Sequence, residues 1–374
     1  MCNLLTTYAI DVFEPIAKWA SVGIVAALII AGIVLFFAKR EVFSKYVKCA
    51  LFGLLIYLLV VGIAGLIMEI GKSFTQTYID DNYMDRQAVT KYIFIPILCL
   101  LIMFLATAVT TAIVAKKSSP ETSKTAVKKT LTVFGLIDLT ALIAVGVTLA
   151  IYFEQVKEWY STLNKPVLYI SAALVVIVII ALGFLLNKDD KPIDTKCLSL
   201  AGVTVAMSFG LSYVKIFEMP QGGSITLFSL LPIMIFSYIY GTKKGVFVCF
   251  IYGVLQAIQD PWIIHPAQFL LDYPVAFAAI GLSGAFAKVK AFEKLPQIAF
   301  LLGGILAAAV RFISHVLSGV FAFASTYAGD LNSWIYSLGY NSFVFIDMAI
   351  VLAIGAIVFS SKAFMSELNK LANK

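Results

Sequence analysis

Long apolar stretches separated by short polar segments run along the whole chain. Eleven of these stretches have about the 20 residues that a helix needs to cross the hydrocarbon core of a bilayer. They lie near 16–38, 47–71, 91–115, 130–152, 166–186, 197–215, 223–240, 244–259, 267–288, 297–323 and 340–360. The pattern predicts an all-α membrane protein with about 11 transmembrane helices.

The most polar internal stretch, LLNKDDKPIDTKC at 185–197, contains a proline and separates five apolar stretches from six. We therefore predict two regions, an N-terminal five-helix block at 1–190 and a six-helix bundle at 191–374. The sequence of the first region does not indicate its role. Its intramembrane Asp138 is either a functional group or a partner in a hydrogen bond between helices.

Composition and charge agree with a membrane protein and exclude nucleic acid as a partner. The chain is 61% hydrophobic and 13% charged, which is too apolar for a soluble protein of 374 residues. Its formal net charge is +7, but the basic residues lie in alternate loops such as 39–48, 116–129 and 288–294. Because positive loops stay on the cytoplasmic side, we expect the N-terminus outside and the C-terminus in the cytoplasm. The five cysteines lack metal-binding spacing, so we predict no metal site.

Polar groups inside apolar stretches are concentrated in the second region. Asp272 lies within FLLDYPVAFAAIGLSGAF (269–286), where a carboxylate costs about 2.5–3.5 kcal/mol on insertion scales. The same region contains both histidines, His265 and His315, and the intramembrane Arg311. Such a concentration indicates a substrate site. The alternative is that Asp272 and Arg311 form a buried structural ion pair.

Four segments contain the candidate chemistry. They are FEMPQGGSITLFSLLP (217–232), interpreted as a turn followed by the start of a helix, DPWIIHPAQFLLDYPVAF (260–277), RFISHVLSGVFAF (311–323) and WIYSLGYNSFVFID (334–347). In the third, residues 311, 315, 319 and 323 recur every four positions and therefore share one helical face.

Together these segments provide a carboxylate, an imidazole, an amide, several aromatic rings and a glycine beside which a ring can approach the backbone. Aromatic faces attract cations, and a carboxylate supplies the counter-charge. The set therefore suits a small, flat, cationic heteroaromatic ligand. The aromatic residues are equally typical of packing or of the interfacial belt of a membrane protein.

Residues 197–374 resemble the thiamine-specific substrate-binding (S) subunits of energy-coupling factor transporters. The resemblance lies in five elements in the same order: EMPQGGSIT (218–226), KKG (243–245), HPAQFLLDYPVAF (265–277), RFISHVLSG (311–319) and YSLGYN (336–341). It implies a six-helix S-component-like bundle and says nothing about the first five helices.

The resemblance also implies a thiamine-binding site and no catalytic residue. Its residues are Trp262, Asp272, Tyr273, Arg311, His315, Gly319, Phe323, Tyr336 and Asn341. Three of them depart from the family pattern. Asp272 stands where Glu is frequent, Arg311 where Lys is frequent, and Phe323 where some members have Trp.

A stripe of small residues, Gly202, Ala206 and Gly210, recurs every four positions on the first helix of this region. Small residues at this spacing allow two helices to approach closely. The resemblance implies that the stripe docks on a transmembrane coupling subunit, which works with two ATPase subunits. ATP would then be used only by those partners, and this chain would hold no cofactor. Internal packing of the bundle is the alternative.

The expected function is thiamine uptake across a bacterial cytoplasmic membrane, by a protein that is not an enzyme. A second hypothesis is a self-sufficient thiamine carrier coupled to protons or sodium, in which Asp272 or Asp347 titrates. An intramembrane enzyme using Asp272 and His315 as acid and base is the weakest hypothesis, because no nucleophile accompanies them.

Overall fold

The structure is a computed structural model that describes most of the chain after residue 85. It describes short pieces between residues 19 and 64, and then residues 86–118, 122–155, 165–187, 193–219, 222–259, 261–323, 329 and 331–373. Within this part, seven helices are long and apolar enough to span a membrane. The predicted spans 16–38 and 47–71 are described only in short pieces. The helical membrane fold is therefore confirmed, and the count of eleven stays a prediction.

The described N-terminal region contains three long helices. They are α1 (Ile95–Lys117), α2 (Ser123–Gln155) and α3 (Lys165–Leu185). A short helical turn, Arg86–Val89, and a π-helical turn, Thr90–Phe94, lead into α1. Their apolar residues point outward on most sides, as expected of helices that face lipid.

The second half is a bundle of helices with one small hairpin. In chain order its elements are α4 (Thr195–Ser212), β1 (Lys215–Glu218), β2 (Ser224–Thr226), α5 (Leu231–Gln259), α6 (Pro266–Asp272), α7 (Pro274–Ala278), α8 (Pro296–Ser318), α9 (Ser333–Asn341), α10 (Phe343–Ser360) and α11 (Lys362–Asn373). Two 3₁₀ turns, Ala279–Gly284 and Lys290–Phe292, connect α7 to α8, and a π-helical turn, Gly319–Phe323, continues α8.

The helix α5 reverses direction at Gly241, whose φ of 80° and ψ of 172° are not helical. Ser237 Oγ and Cys249 Sγ are 4.0 Å apart, although twelve residues of straight helix would separate them by about 18 Å. The two arms, 231–240 and 242–259, therefore lie side by side. They correspond to the predicted spans 223–240 and 244–259, and the first arm is shorter than predicted because the helix begins at Leu231.

The segment after Lys215 is an antiparallel hairpin and not the start of a helix. Phe217 pairs with Ile225, and Glu218 with Ser224. Gly222 has a φ of 88°, a conformation that glycine adopts without steric cost. The interpretation of 224–226 as the start of a helix was wrong, because the turn brings these residues back beside β1 and the helix begins only at Leu231.

The predicted span 267–288 is not one helix. It divides into α6, α7 and the 3₁₀ turn Ala279–Gly284, with a break at Tyr273 (φ −113°, ψ −88°). Pro274 causes this break because proline lacks an amide hydrogen and keeps the preceding residue out of the helical region. Asp272 consequently lies at the end of a short helix instead of the middle of a long one.

Close packing inside the bundle allows this irregular backbone at the depth of the membrane. The 3₁₀ turn is buried against both arms of α5. A Cβ atom on Gly281 would collide with the Val246 backbone, and one on Gly284 would collide with the Ser237 carbonyl oxygen. The two glycines therefore allow the backbone of the 3₁₀ turn to lie in close contact with the backbone of α5.

The N-terminal helices pack on this bundle. Thr242 Oγ1 donates a hydrogen bond of 2.7 Å to the Gly183 carbonyl at the end of α3. Buried side chains of α1 and α2 share an apolar cluster with Val254, Ile258 and Phe269. The division at residue 190 stays a prediction, and the two predicted regions share a buried contact.

Gly281→Ala should destabilise the protein, because the added methyl group has no space beside the Val246 backbone. We expect a loss of about 1–3 kcal/mol in the free energy of unfolding, measured by thermal unfolding in detergent. Gly146→Ala is the matched control, because its Cβ would meet nothing within 4 Å. Equal stability of the two variants would contradict the close contact.

Candidate functional site

A cavity of about 120 Å³ opens where α4, α5, the hairpin, α6, α8 and α9 meet. All nine residues predicted as a binding site line it: Trp262, Asp272, Tyr273, Arg311, His315, Gly319, Phe323, Tyr336 and Asn341. The structure therefore brings together residues from three separate segments of sequence. Their role in binding stays a prediction.

The carboxylate of Asp272 is held by three side chains. Ser318 Oγ donates to Oδ2 at 2.7 Å, and Gln268 Nε2 donates to the same oxygen at 2.8 Å. His315 Nδ1 lies 3.1 Å from Oδ1. Because an ionised carboxylate can only accept hydrogen bonds, this nitrogen carries the proton in that state. The side chain of Asp272 remains 17% exposed to the cavity, so a ligand can still reach it.

Arg311 pairs with Asp347 and not with Asp272. Arg311 Nη1 lies 3.2 Å from Asp347 Oδ2, and both side chains are buried. The other oxygen of Asp347 accepts from the backbone nitrogen of Thr226 at 3.0 Å and from its hydroxyl at 3.2 Å. The alternative of an Asp272–Arg311 ion pair was therefore wrong. Helix α10 supplies the partner of Arg311 and also fixes β2.

This pairing changes the electrostatics of the cavity. The Arg311 charge is compensated by Asp347, and its guanidinium lies 4.8 Å above the ring of Phe277. Asp272 has no comparable cation beside it among the described residues. The cavity therefore keeps one carboxylate whose charge a cationic ligand can balance.

Aromatic rings form two of the cavity walls. Trp262 and Phe323 meet edge to face, with centroids 5.8 Å apart. Tyr336 and Tyr340 are stacked at 6.0 Å with an interplanar angle of 20°. Phe323 ends the π-helical turn Gly319–Phe323, so the spacing of four from Gly319 is not that of an ideal α-helix.

Gly319 lies at a close contact between two helices, and the approach of a ligand ring to its backbone stays a prediction. A Cβ atom there would collide with the hydroxyl of Ser337 on α9. Asn341 fixes the same contact, because its Nδ2 donates to the His315 carbonyl at 3.3 Å and to the Ser337 carbonyl at 2.9 Å. Both residues line the cavity, and both also join α8 to α9.

Several lining residues escaped the sequence analysis, including Gln268, Lys215 and a polar cluster at the end of α5. In that cluster Ser212 Oγ donates to Gln259 Oε1 at 2.6 Å, and Gln256 Nε2 donates to the same oxygen at 3.1 Å. The two glutamines stand three residues apart at the end of an apolar stretch. That spacing on one helical face is the signal that could have revealed them.

The small-residue stripe lies on α4, and none of its three members lines the cavity. Gly202 is exposed, and a Cβ atom there would meet nothing within 4 Å. Ala206 is half-buried and Gly210 is buried. The exposed part of the predicted docking stripe is therefore its first turn, and docking itself stays a prediction.

The fold and the cavity define a class, a multi-pass membrane protein with a cavity between its helices. The model of the family described as thiamine transporter protein (Thia_YuaJ) matches residues 198–367. The thiamine transporter ThiT of Bacillus subtilis (strain 168) is 37% identical over 144 residues, which cover 37% of this chain and 74% of the relative. The chain belongs to this family of transporters and is not an enzyme.

Two further proteins resemble part of the chain. The thiamine transporter ThiT of Lacticaseibacillus paracasei is 26% identical over 143 residues, or 35% of this chain and 71% of the relative. A solved structure of ThiT from Listeria monocytogenes is 19% identical and covers 47% of this chain and 94% of its own, with a TM-score of 0.37.

Asp347→Asn should destabilise the protein, because it leaves the buried Arg311 charge without its partner. Breaking a buried ion pair from one side typically costs about 3–5 kcal/mol in the free energy of unfolding. Thermal unfolding in detergent measures the loss. The double variant Arg311→Met/Asp347→Asn removes both charges and should recover much of the stability. If the double variant is as unstable as the single one, the pair does not stabilise the fold.

Proposed function

We propose that the cavity binds thiamine, and that the chain is the substrate-binding subunit of an energy-coupling factor transporter for thiamine uptake. The observation that carries the proposal is the Asp272 carboxylate, held by Gln268, His315 and Ser318 at a cavity with aromatic walls. Membership of the thiamine transporter family supports the choice of substrate.

The lining matches the chemistry of thiamine. Its thiazolium ring is a cation, for which Asp272 supplies counter-charge and the faces of Trp262 and Phe323 supply cation–π attraction. Its aminopyrimidine and hydroxyl groups need hydrogen-bond partners, which the lining offers in His315, Asn341 and the tyrosines. Nε2 of His315 is buried and has no hydrogen-bond partner among the described residues.

The distribution of lysines supports binding from the outer side. The cavity lies at the end of α5 that holds Gln256 and Gln259. Lys243 and Lys244 follow the turn at Gly241, at the opposite end of the arms of α5. The basic connection 288–294 reaches the same opposite end, because the 3₁₀ turn before it packs against residues 237 and 246. Under the positive-inside rule that end is cytoplasmic, and the cavity faces outward.

Coupling to ATP is the finer part of the proposal. The exposed first turn of the α4 stripe, at Gly202, is the surface offered to a transmembrane coupling subunit, with two ATPase subunits behind it. A self-sufficient carrier remains the competing hypothesis. Uptake by this chain alone, in a host that lacks coupling subunits, would favour the carrier and contradict the subunit assignment.

Asp272→Asn should lower thiamine affinity by about ten- to a hundred-fold, since a hydrogen-bonded charge is worth about 1.5–3 kcal/mol. Quenching of tryptophan fluorescence in the purified full chain measures the affinity. Asp138→Asn is the matched control, because Asp138 is also a buried intramembrane carboxylate but does not line the cavity. Equal affinity of the two variants would overturn the role given to Asp272.

Gly202→Leu should separate binding from transport. Bulk at this position should leave thiamine binding by the purified protein unchanged, because Gly202 is remote from the cavity, and should abolish uptake in cells that contain the coupling module. Gly146→Leu on α2 is the control, since its Cβ also meets nothing within 4 Å. Normal uptake by Gly202→Leu would show that the stripe is not the docking surface.

A further inference from the structure

The segment 261–265, between α5 and α6, carries Trp262 into the cavity wall and has no regular secondary structure. Ile263 and His265 in this segment are buried, at 1% and 0% exposure. A buried irregular backbone needs hydrogen-bond partners from its surroundings, because it cannot satisfy its own amide and carbonyl groups. The donors and acceptors around the segment therefore determine where Trp262 lies.

Two side chains of the six-helix bundle hold one part of the segment. Tyr273 Oη accepts from the Trp262 nitrogen at 2.7 Å. Gln268 Nε2 donates to the Trp262 carbonyl at 2.8 Å, and Gln268 Oε1 accepts from the Ile264 nitrogen at 3.1 Å. Gln268 also donates to Asp272, so its side-chain amide bonds both the segment and the carboxylate.

The N-terminal helices bond the carbonyl side of the Ile263–Ile264 peptide group, whose nitrogen Gln268 already holds. Tyr152 on α2 is 1% exposed, and its hydroxyl donates to the Ile263 carbonyl at 3.1 Å. The side chain of Ile263 lies in the same apolar cluster as Tyr152. On α3, the ring of Tyr169 lies 5.0 Å from the ring of His265. Two helices of the first region thus contact the segment on either side of Ile264.

We propose that the N-terminal helices are an intramolecular partner of the binding site, with Tyr152 as a positioning residue that fixes the Trp262 segment and slows ligand release. The proposal rests on the proposed function, because it assumes that thiamine is the ligand of the cavity. It gives residues 1–190 a role in retaining the ligand, in addition to any role in the membrane.

The position of the tyrosines supports an effect on the ligand and not only on folding. Trp262 N and O are already bonded within the bundle, so loss of Tyr152 does not detach the segment. It removes a hydrogen bond one residue away from Trp262 and leaves that side chain more freedom. Trp262 contacts Phe323 edge to face in the cavity wall, so added freedom there weakens that wall.

The test compares Tyr152→Phe with Tyr46→Phe in the full chain. Tyr46 is the matched control, because its hydroxyl also donates to a carbonyl within the N-terminal region, that of Leu28, at 2.7 Å. Tyr152→Phe should release thiamine about three- to ten-fold faster than wild type, the effect expected from one hydrogen bond. Tyr46→Phe should release it at the wild-type rate. Stopped-flow fluorescence measures both release rates, with excess unlabelled thiamine displacing fluorescently labelled thiamine.

A second measurement reports the freedom of the Trp262 side chain in the absence of ligand. In a background whose other three tryptophans are changed to phenylalanine, the fluorescence anisotropy of Trp262 should fall in Tyr152→Phe and stay unchanged in Tyr46→Phe. Tyr169→Leu, at a position 47% exposed, should also speed release. It serves as the test if Tyr152→Phe fails to fold.

The outcomes separate the two proposals. If wild-type protein binds thiamine, and Tyr152→Phe and Tyr169→Leu release it at the wild-type rate, the positioning role is wrong and the proposed function stands. If wild-type protein does not bind thiamine, the proposed function itself is wrong. Faster release together with unchanged Trp262 anisotropy would overturn the assignment of Tyr152 as a positioning residue.

Discussion

The carboxylate of Asp272 can remain among apolar helices because three side chains reach it at 2.7–3.1 Å. Those side chains come from α6 and α8, so their placement depends on the break that ends α6 at Asp272. The break in turn depends on Pro274 and on the tight packing of the 3₁₀ turn behind it. The same backbone irregularity that a membrane interior normally excludes is thus what creates the polar site.

Charged residues inside apolar stretches were the part of the site that sequence could reveal. Asp272, Arg311 and His315 are conspicuous because the surrounding residues are apolar, and all three line the cavity. The partner of Arg311 was not predictable, since Asp347 stands 36 positions away and pairing depends on how α8 and α10 pack. Gln268 was missed because an uncharged polar residue near the end of an apolar stretch resembles an ordinary interfacial residue.

The fold was predictable where the length and hydrophobicity of a stretch determine its structure. It was less predictable where proline and glycine determine the backbone conformation. The long helices follow from their apolar runs. The hairpin before α5 and the break at Tyr273 follow from local constraints on the backbone. These constraints are not visible when hydropathy is averaged over the length of a membrane span. The contact between the N-terminal helices and the 261–265 segment could not be predicted. Tyr152 and Ile263 lie 111 positions apart, and the apolar sequence around each of them contains no feature that indicates the contact.

The π-helical turn Gly319–Phe323 has a consequence for how this site can vary in evolution. Such a turn holds one residue more than an α-helical turn. Because the turn absorbs that residue, loss of a single residue within it restores α-helical geometry and leaves Phe323 beside Trp262. In a regular α-helix the same deletion would rotate the following residues by about 100°. The chain can therefore change in length at this point, inside a helix and not in a loop, and keep the aromatic wall of the cavity.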